Sequence, residues 1–250
     1  MRRWILVTFI ANLFISVFAY AEQAEKLIIL RSQDDWGPNE YIDSEGKLVG
    51  SHIDLIQLAA EKVGVEVEFV AMPWKRALKS IREGTGDAIS YVIKTPERSS
   101  FLIYHSGNII SQGSSRFAYL NGRDFGYDGS LSSVRDRHIG VIHGYNYGEK
   151  FDRNQLNNLT NVSSEKQLLQ MLLERRLDLI LVNIDRLKYK FGTTPGFDQI
   201  RTMDIASVSH DIYLAFSRVK GKQEIARKFA DVMPGIRASK KYQEMLKRYQ

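Results

Sequence analysis

The sequence predicts an α/β fold with helices packed on a mostly parallel sheet, and three observations carry that expectation. Short apolar runs of strand length alternate with stretches of helical periodicity from Leu27 to Ile93. The alternation returns on a smaller scale from His138 to Val182. Two extended stretches, 109–121 and 205–208, separate these blocks and can carry the chain out and back.

In chain order, Met1-Arg2-Arg3 is basic, Trp4 to Phe18 is apolar, and Ala19-Tyr20-Ala21 is a small-x-small cleavage site. The expectation is a secretory signal peptide over 1–21, with Glu22 as first mature residue. The apolar run falls short of the ~20 residues of a spanning helix. The chain has no cysteine, which excludes disulfides, thiolate metal sites, a cysteine nucleophile and a lipid-modified N-terminal cysteine. Export without an anchor points to the periplasm. After cleavage roughly 230 residues remain, enough for one large domain or two lobes.

Leu27 to Leu30 reads as a buried parallel strand. Trp36 sits in the turn that follows, and Ile53, Ile56, Ala60 and Val63 stripe a helix that stops at Gly64. Val65 to Val70 alternates as a strand. Trp74, Ala77, Leu78 and Ile81 recur at helical spacing up to Gly84-Thr85-Gly86, and Asp87 to Ile93 is the next strand. In Thr95-Pro96-Glu97-Arg98, Thr95 is an N-cap, Pro96 fits the first helical position and Arg98 falls among unpaired backbone N–H groups. A planar guanidinium beside such donors suits an anion.

Beyond the first extended stretch, His138 to Ile142 is a strand, and Gly144 to Gly148 leads into a helix. Ser164-Glu165-Lys166-Gln167 fits a capping box, and Leu177 to Val182 is a strand. Asp211 to Phe216 follows the return passage. Two C-terminal helices, carrying Ile225, Phe229 and Met233 and then Tyr242, Met245 and Leu246, are expected to part near Pro234-Gly235.

The net charge of +6 is concentrated in 218–250, where ten Lys and Arg face three acids. Export and the core-like spacing of the aromatic residues there exclude nucleic acid as a partner. The five histidines are scattered, so no metal site is expected, and no nucleophile elbow, zinc motif or phosphate loop is present. No cofactor and no catalytic residue are assigned.

Gly46-Lys47-Leu48-Val49-Gly50-Ser51-His52-Ile53-Asp54-Leu55, Pro73-Trp74, Gly86-Asp87-Ala88-Ile89 and Thr95-Pro96-Glu97-Arg98 together resemble the family 3 extracellular solute-binding proteins of the polar amino-acid-binding type. The resemblance implies a two-lobed, type II periplasmic-binding-protein-like fold whose two crossover strands form a hinge. Lobe 1 would comprise 26–112 and 207–250, and lobe 2 113–206. It implies a monomer that captures a small carboxylate-bearing solute, an amino acid or a related compound, and delivers it to a membrane permease.

By the same resemblance Arg98 holds the ligand carboxylate, with Trp74, Trp36, Ser90 and Tyr91 around it, and Asn146 and Tyr147 closing from the second lobe. Arg76, two residues past Trp74, points into the mouth or into solvent. Asn183 stands where the family has an aspartate for the ligand's α-ammonium, which argues against a standard α-amino acid unless Asp185 substitutes. Two alternatives remain: a cyclohexadienyl-dehydratase-like enzyme on the same scaffold, with Glu40 as proton donor, or a periplasmic sensor subunit of a membrane receptor.

Overall fold

The computed structural model describes residues 25–123, 125–143, 147, 151, 155–203 and 208–249. The expected signal peptide, Asn146 with 144–145, and 205–207 of the return passage lie outside the described residues. The apolar run after residue 25 forms β1 (Lys26–Ser32), whose side chains are mostly buried on both faces. A two-stranded ribbon, β2 (Tyr41–Ile42) and β3 (Leu48–Val49), leads into α1 (Ser51–Val63). Gly50 opens that helix at φ 136, and a Cβ there would strike the Asn39 carbonyl, so only glycine serves. Next come β4 (Glu66–Met72), α2 (Trp74–Arg82), β5 (Ala88–Ile93), the single turn α3 (Pro96–Ser99) and β6 (Leu102–Ile103).

β7 (Ile109–Leu120) is twelve residues long and changes partners along its length. The second block is β8 (His138–Ile142), β9 (Asn158–Val162), α4 (Glu165–Leu173), β10 (Leu179–Val182), α5 (Ile184–Phe191) and β11 (Ile200–Thr202). The chain then returns through β12 (Val208–Ser217) to α6 (Gln223–Ala238) and α7 (Lys240–Leu246). The strand order is β4-β1-β5-β12-β7-β10-β8-β9. β1 runs parallel to β4 and β5, and β8 runs parallel to β9 and β10. Only β12 and β7, at the centre, run against their neighbours in this order.

β7 pairs with β12 as far as Ser115, then from Arg116 onward with β10 and β11. The apolar clusters divide at the same place. Two are built from residues 27–110 and 212–246, two from 117–203, and none mixes the sets. Each block therefore buries its own core, and β7 is the strand they share.

Two local expectations need correction. The C-terminal helix does not part at Pro234-Gly235: α6 runs through Pro234 and ends at Ser239, whose hydroxyl caps α7 by accepting from the Tyr242 N–H. Proline removes the bond to the carbonyl four residues back, here Ala230. That carbonyl faces Gly107, where a Cβ would collide with it. The turn around Gly107 is clamped to α6, since Asn108 Nδ2 donates to the Ala226 carbonyl at 3.0 Å and Arg237 to those of Gly107 and Ile109. Tertiary contact thus carries the helix across its proline. The capping box is also half formed, because Gln167 N–H does reach Ser164 Oγ, but Gln167 Oε1 accepts from Ser163 N–H instead of Ser164.

Candidate functional site

A cavity of about 390 Å³ lies between the two blocks. Its first wall comes from the chain leaving β1 (Asp34, Trp36), the start of α2 (Trp74), β5 (Tyr91, Ile93) and α3 (Arg98). Ser114, Ser115, His210 and Ile212 of the two central strands form its floor, and Ile142, Tyr147, Glu165, Leu181, Val182, Asn183 and Arg186 its second wall.

Of the nine binding residues expected from sequence, this cavity brings together Arg98, Trp74, Trp36, Tyr91, Tyr147 and Asn183. Asn146 lies outside the described residues. Arg76 is exposed and Ser90 is buried, and neither lines the cavity.

Ser90 and Tyr91 part company, as neighbours in a strand do, and β5 is bulged beside them. Across β12, Tyr213 faces Val92 but Ala215 faces Ile89, so β5 carries one extra residue there. Tyr91 absorbs it at φ 54, a conformation uncommon for a residue with a Cβ. Its ring turns to the cavity and stacks on Trp36 at 5.0 Å. Ser90 turns the other way and donates to Glu40 Oε2 at 3.0 Å.

That bond belongs to a buried polar cluster behind the first wall. Arg31, Glu40 and His52 are each at most 2% exposed. Arg31 Nε lies 3.5 Å from Glu40 Oε2, and His52 Nδ1 lies 3.5 Å from Glu40 Oε1. His52 Nε2 bonds Ser111 Oγ of β7 at 2.8 Å. Glu40 is thus structural and does not line the cavity, which removes the proton donor named for the enzyme alternative.

Thr95 caps α3 as its sequence requires, its hydroxyl accepting from the Arg98 N–H, with Pro96 at the first helical position. Arg98 Nη1 donates to the Ile93 carbonyl at 2.9 Å, which aims the guanidinium, and its Cζ lies 5.6 Å from the Trp74 ring. It has no carboxylate partner among the described residues. An unpaired guanidinium against aromatic walls is a site for an anion.

In the second wall, Asn183 Oδ1 accepts from the Arg186 N–H at 2.9 Å and caps α5, so that oxygen is committed to the helix. Asp185 is exposed and outside the lining. Tyr147 uses its hydroxyl to accept from the Ile142 N–H. Sequence reasoning missed Asp34, Glu165, Arg186 and His210. Glu165 and Arg186 form an ion pair of 2.6 Å, nearly closed to solvent, with Lys190 3.4 Å from the other carboxylate oxygen. Burial holds the His210 imidazole below its usual range against the opposing pull of Asp211. A pattern of residue types does not reveal that Arg186 and Glu165 meet, because they are joined only once α4 and α5 pack.

Among the described residues no group of His, Cys, Asp and Glu is placed to hold a metal ion, and no helix is long and apolar enough to cross a membrane. The model for bacterial extracellular solute-binding proteins, family 3, matches residues 28–250. No curated protein matches the sequence. Among solved structures, the fold is similar to the L-cystine solute receptor of Neisseria gonorrhoeae in its unliganded open conformation, at TM-score 0.70 and 20% identity over 90% of this chain and 92% of that one. It is similar to a histidine kinase sensor domain with similarity to periplasmic binding proteins (TM-score 0.69, 16% identity, 91% and 96% covered). An ancestral arginine-binding protein bound to arginine gives TM-score 0.65 at 19% identity, with 91% and 99% covered.

Proposed function

The chain belongs to family 3 of the bacterial extracellular solute-binding proteins and has their type II fold, and on that premise we propose that it captures a small carboxylate-bearing solute, an amino acid or a related compound, in the cavity between two lobes and delivers it to a membrane permease. The proposed lobes are those read from sequence, 26–112 with 207–250, and 113–206. The separate cores and the change of partners along β7 support that division. Secretion to the periplasm through a signal peptide at 1–21 belongs to the same reading.

The carrying observation is Arg98, a guanidinium aimed by the Ile93 carbonyl and without a carboxylate of its own among the described residues. The solute's carboxylate supplies the missing partner. Asn183 is neutral and committed to capping α5, so an α-ammonium finds no counter-charge there. A carboxylate without one is expected to bind at least as well as its α-amino counterpart. A thermal-shift screen of paired organic acids and amino acids tests this. Should the amino acids bind more tightly, Asp34, which lines the cavity with no cationic partner among the described residues, is the counter-charge, and Asp34→Asn removes their advantage.

A sensor subunit is the second reading, favoured by the likeness to a histidine kinase sensor domain. Co-purification with a permease supports delivery, whereas co-purification with a membrane receptor supports sensing.

A further inference from the structure

α5 belongs to the second block, yet its outer face lies on the turn that follows β1 in the first. Arg186 Nη1 donates to the Asp35 carbonyl at 2.8 Å, and its guanidinium lies 4.3 Å from the Trp36 ring. One helical turn on, Tyr189 covers Gly37, where a Cβ would fall inside its ring, and meets the Tyr41 ring at 5.3 Å. Among the described residues no apolar cluster joins the two blocks, so a parting of the blocks would break these contacts. None needs a solute, and Tyr189 is not part of the cavity lining.

We propose that Arg186 and Tyr189 are positioning residues forming a latch that holds Trp36 over the cavity and keeps the cleft closed without solute. This rests on the reading of the cavity as a cleft between moving lobes. Contacts present in one state only shift the balance toward that state. The charges suit a reversible device. Arg186 is paired with Glu165 at 2.6 Å within its own block, so opening need not strand a buried ion. Opening returns the Asp35 carbonyl, Gly37, the Trp36 face and the rings of Tyr41 and Tyr189 to water. Tyr189 is already 42% exposed, so losing its ring does not open a core cavity.

The absence of cysteine allows paired spin labels through Glu45→Cys and Lys166→Cys, both exposed and one on each block. Electron-electron distances are measured on ligand-free protein, in the otherwise natural chain and with Tyr189→Ala or Gly37→Ala. Gly37 has no left-handed φ, so alanine fits its backbone and displaces only the Tyr189 ring. The latch predicts a mainly short distance in the natural chain. In each variant the closed-to-open ratio falls about two- to tenfold, as expected for one aromatic contact. A ligand-free chain already at the long distance overturns the latch, and so do variants that keep the natural distribution. Because no solute enters the measurement, its result stands apart from whether a carboxylate is the ligand.

Discussion

Arg98 brings a fixed positive charge to a cavity whose other lining is largely aromatic and aliphatic. Losing one partner of a buried charge-assisted pair costs about 2 to 5 kcal/mol of binding. Arg98→Ala is therefore expected to abolish most of the thermal shift that an organic acid gives, and Arg98→Lys to restore it only in part, because an ammonium lacks the planar two-bond geometry. The ligand-free melting temperature should fall little, since the side chain gives up its bond to the Ile93 carbonyl and its place over the Trp74 ring. Ser90 predicts the opposite pattern. Ser90→Ala leaves Glu40 Oε2 with Arg31 Nε at 3.5 Å, at a cost of about 1 to 3 kcal/mol in stability, read as a lower melting temperature with the solute-induced shift retained. The place of Arg98 in the first turn of α3 was legible because a capping threonine, a proline and an arginine are close neighbours in the chain, whereas its binding role came only from the order of the motifs around it. Ser90 was misjudged because its neighbour Tyr91 faces the cavity, and successive side chains of a strand point to opposite sides, which leaves Ser90 to the buried Glu40.

At the scale of elements, what sequence conveyed well were periodicity and caps, and what it concealed were contacts between distant segments. β9, with its polar sequence Asn-Leu-Thr-Asn-Val, is a strand because β8 offers it an edge, and no alternation announces it. The passage of α6 through Pro234 depends in the same way on a turn more than a hundred residues earlier. Gly107→Ala pushes a methyl into the Ala230 carbonyl. It should destabilise by about 1 to 3 kcal/mol, at roughly 2 to 4 °C of melting temperature per kcal/mol in a chain this size. Asp87 joins the start of β5 to both β1 and the segment before α6. It accepts from the Ile28 N–H at 2.8 Å, with the ammonium groups of Lys220 and Lys222 at 2.7 and 3.3 Å. Burial pushes its carboxyl up, but the Ile28 amide and the two lysines outweigh that and hold it below the usual value. A depressed carboxyl stabilises fully above its unfolded value near 3.9 and loses that contribution as pH falls through the lower folded value. Urea titrations should thus show Asp87→Asn less stable than the natural chain by a constant margin above about pH 5, and the margin shrinking below about pH 4.

For the whole molecule, the two-block plan was visible in the repeated alternation of strand and helix, while the pairing that makes it a hinged pair was not, because periodicity cannot match distant strands. The separate cores, the shared β7 and a cavity walled by both blocks fit a protein that holds a solute between two lobes. The central claim is that Arg98 recognises the solute through its carboxylate. Calorimetric titration of the organic acid with the largest thermal shift, set beside its primary amide, tests this most directly in the natural chain and in Arg98→Ala. The account predicts that the natural chain prefers the acid by at least tenfold, and that Arg98→Ala loses affinity for the acid until the two bind alike. Equal binding of acid and amide by the natural chain, or an undiminished preference in Arg98→Ala, would contradict it.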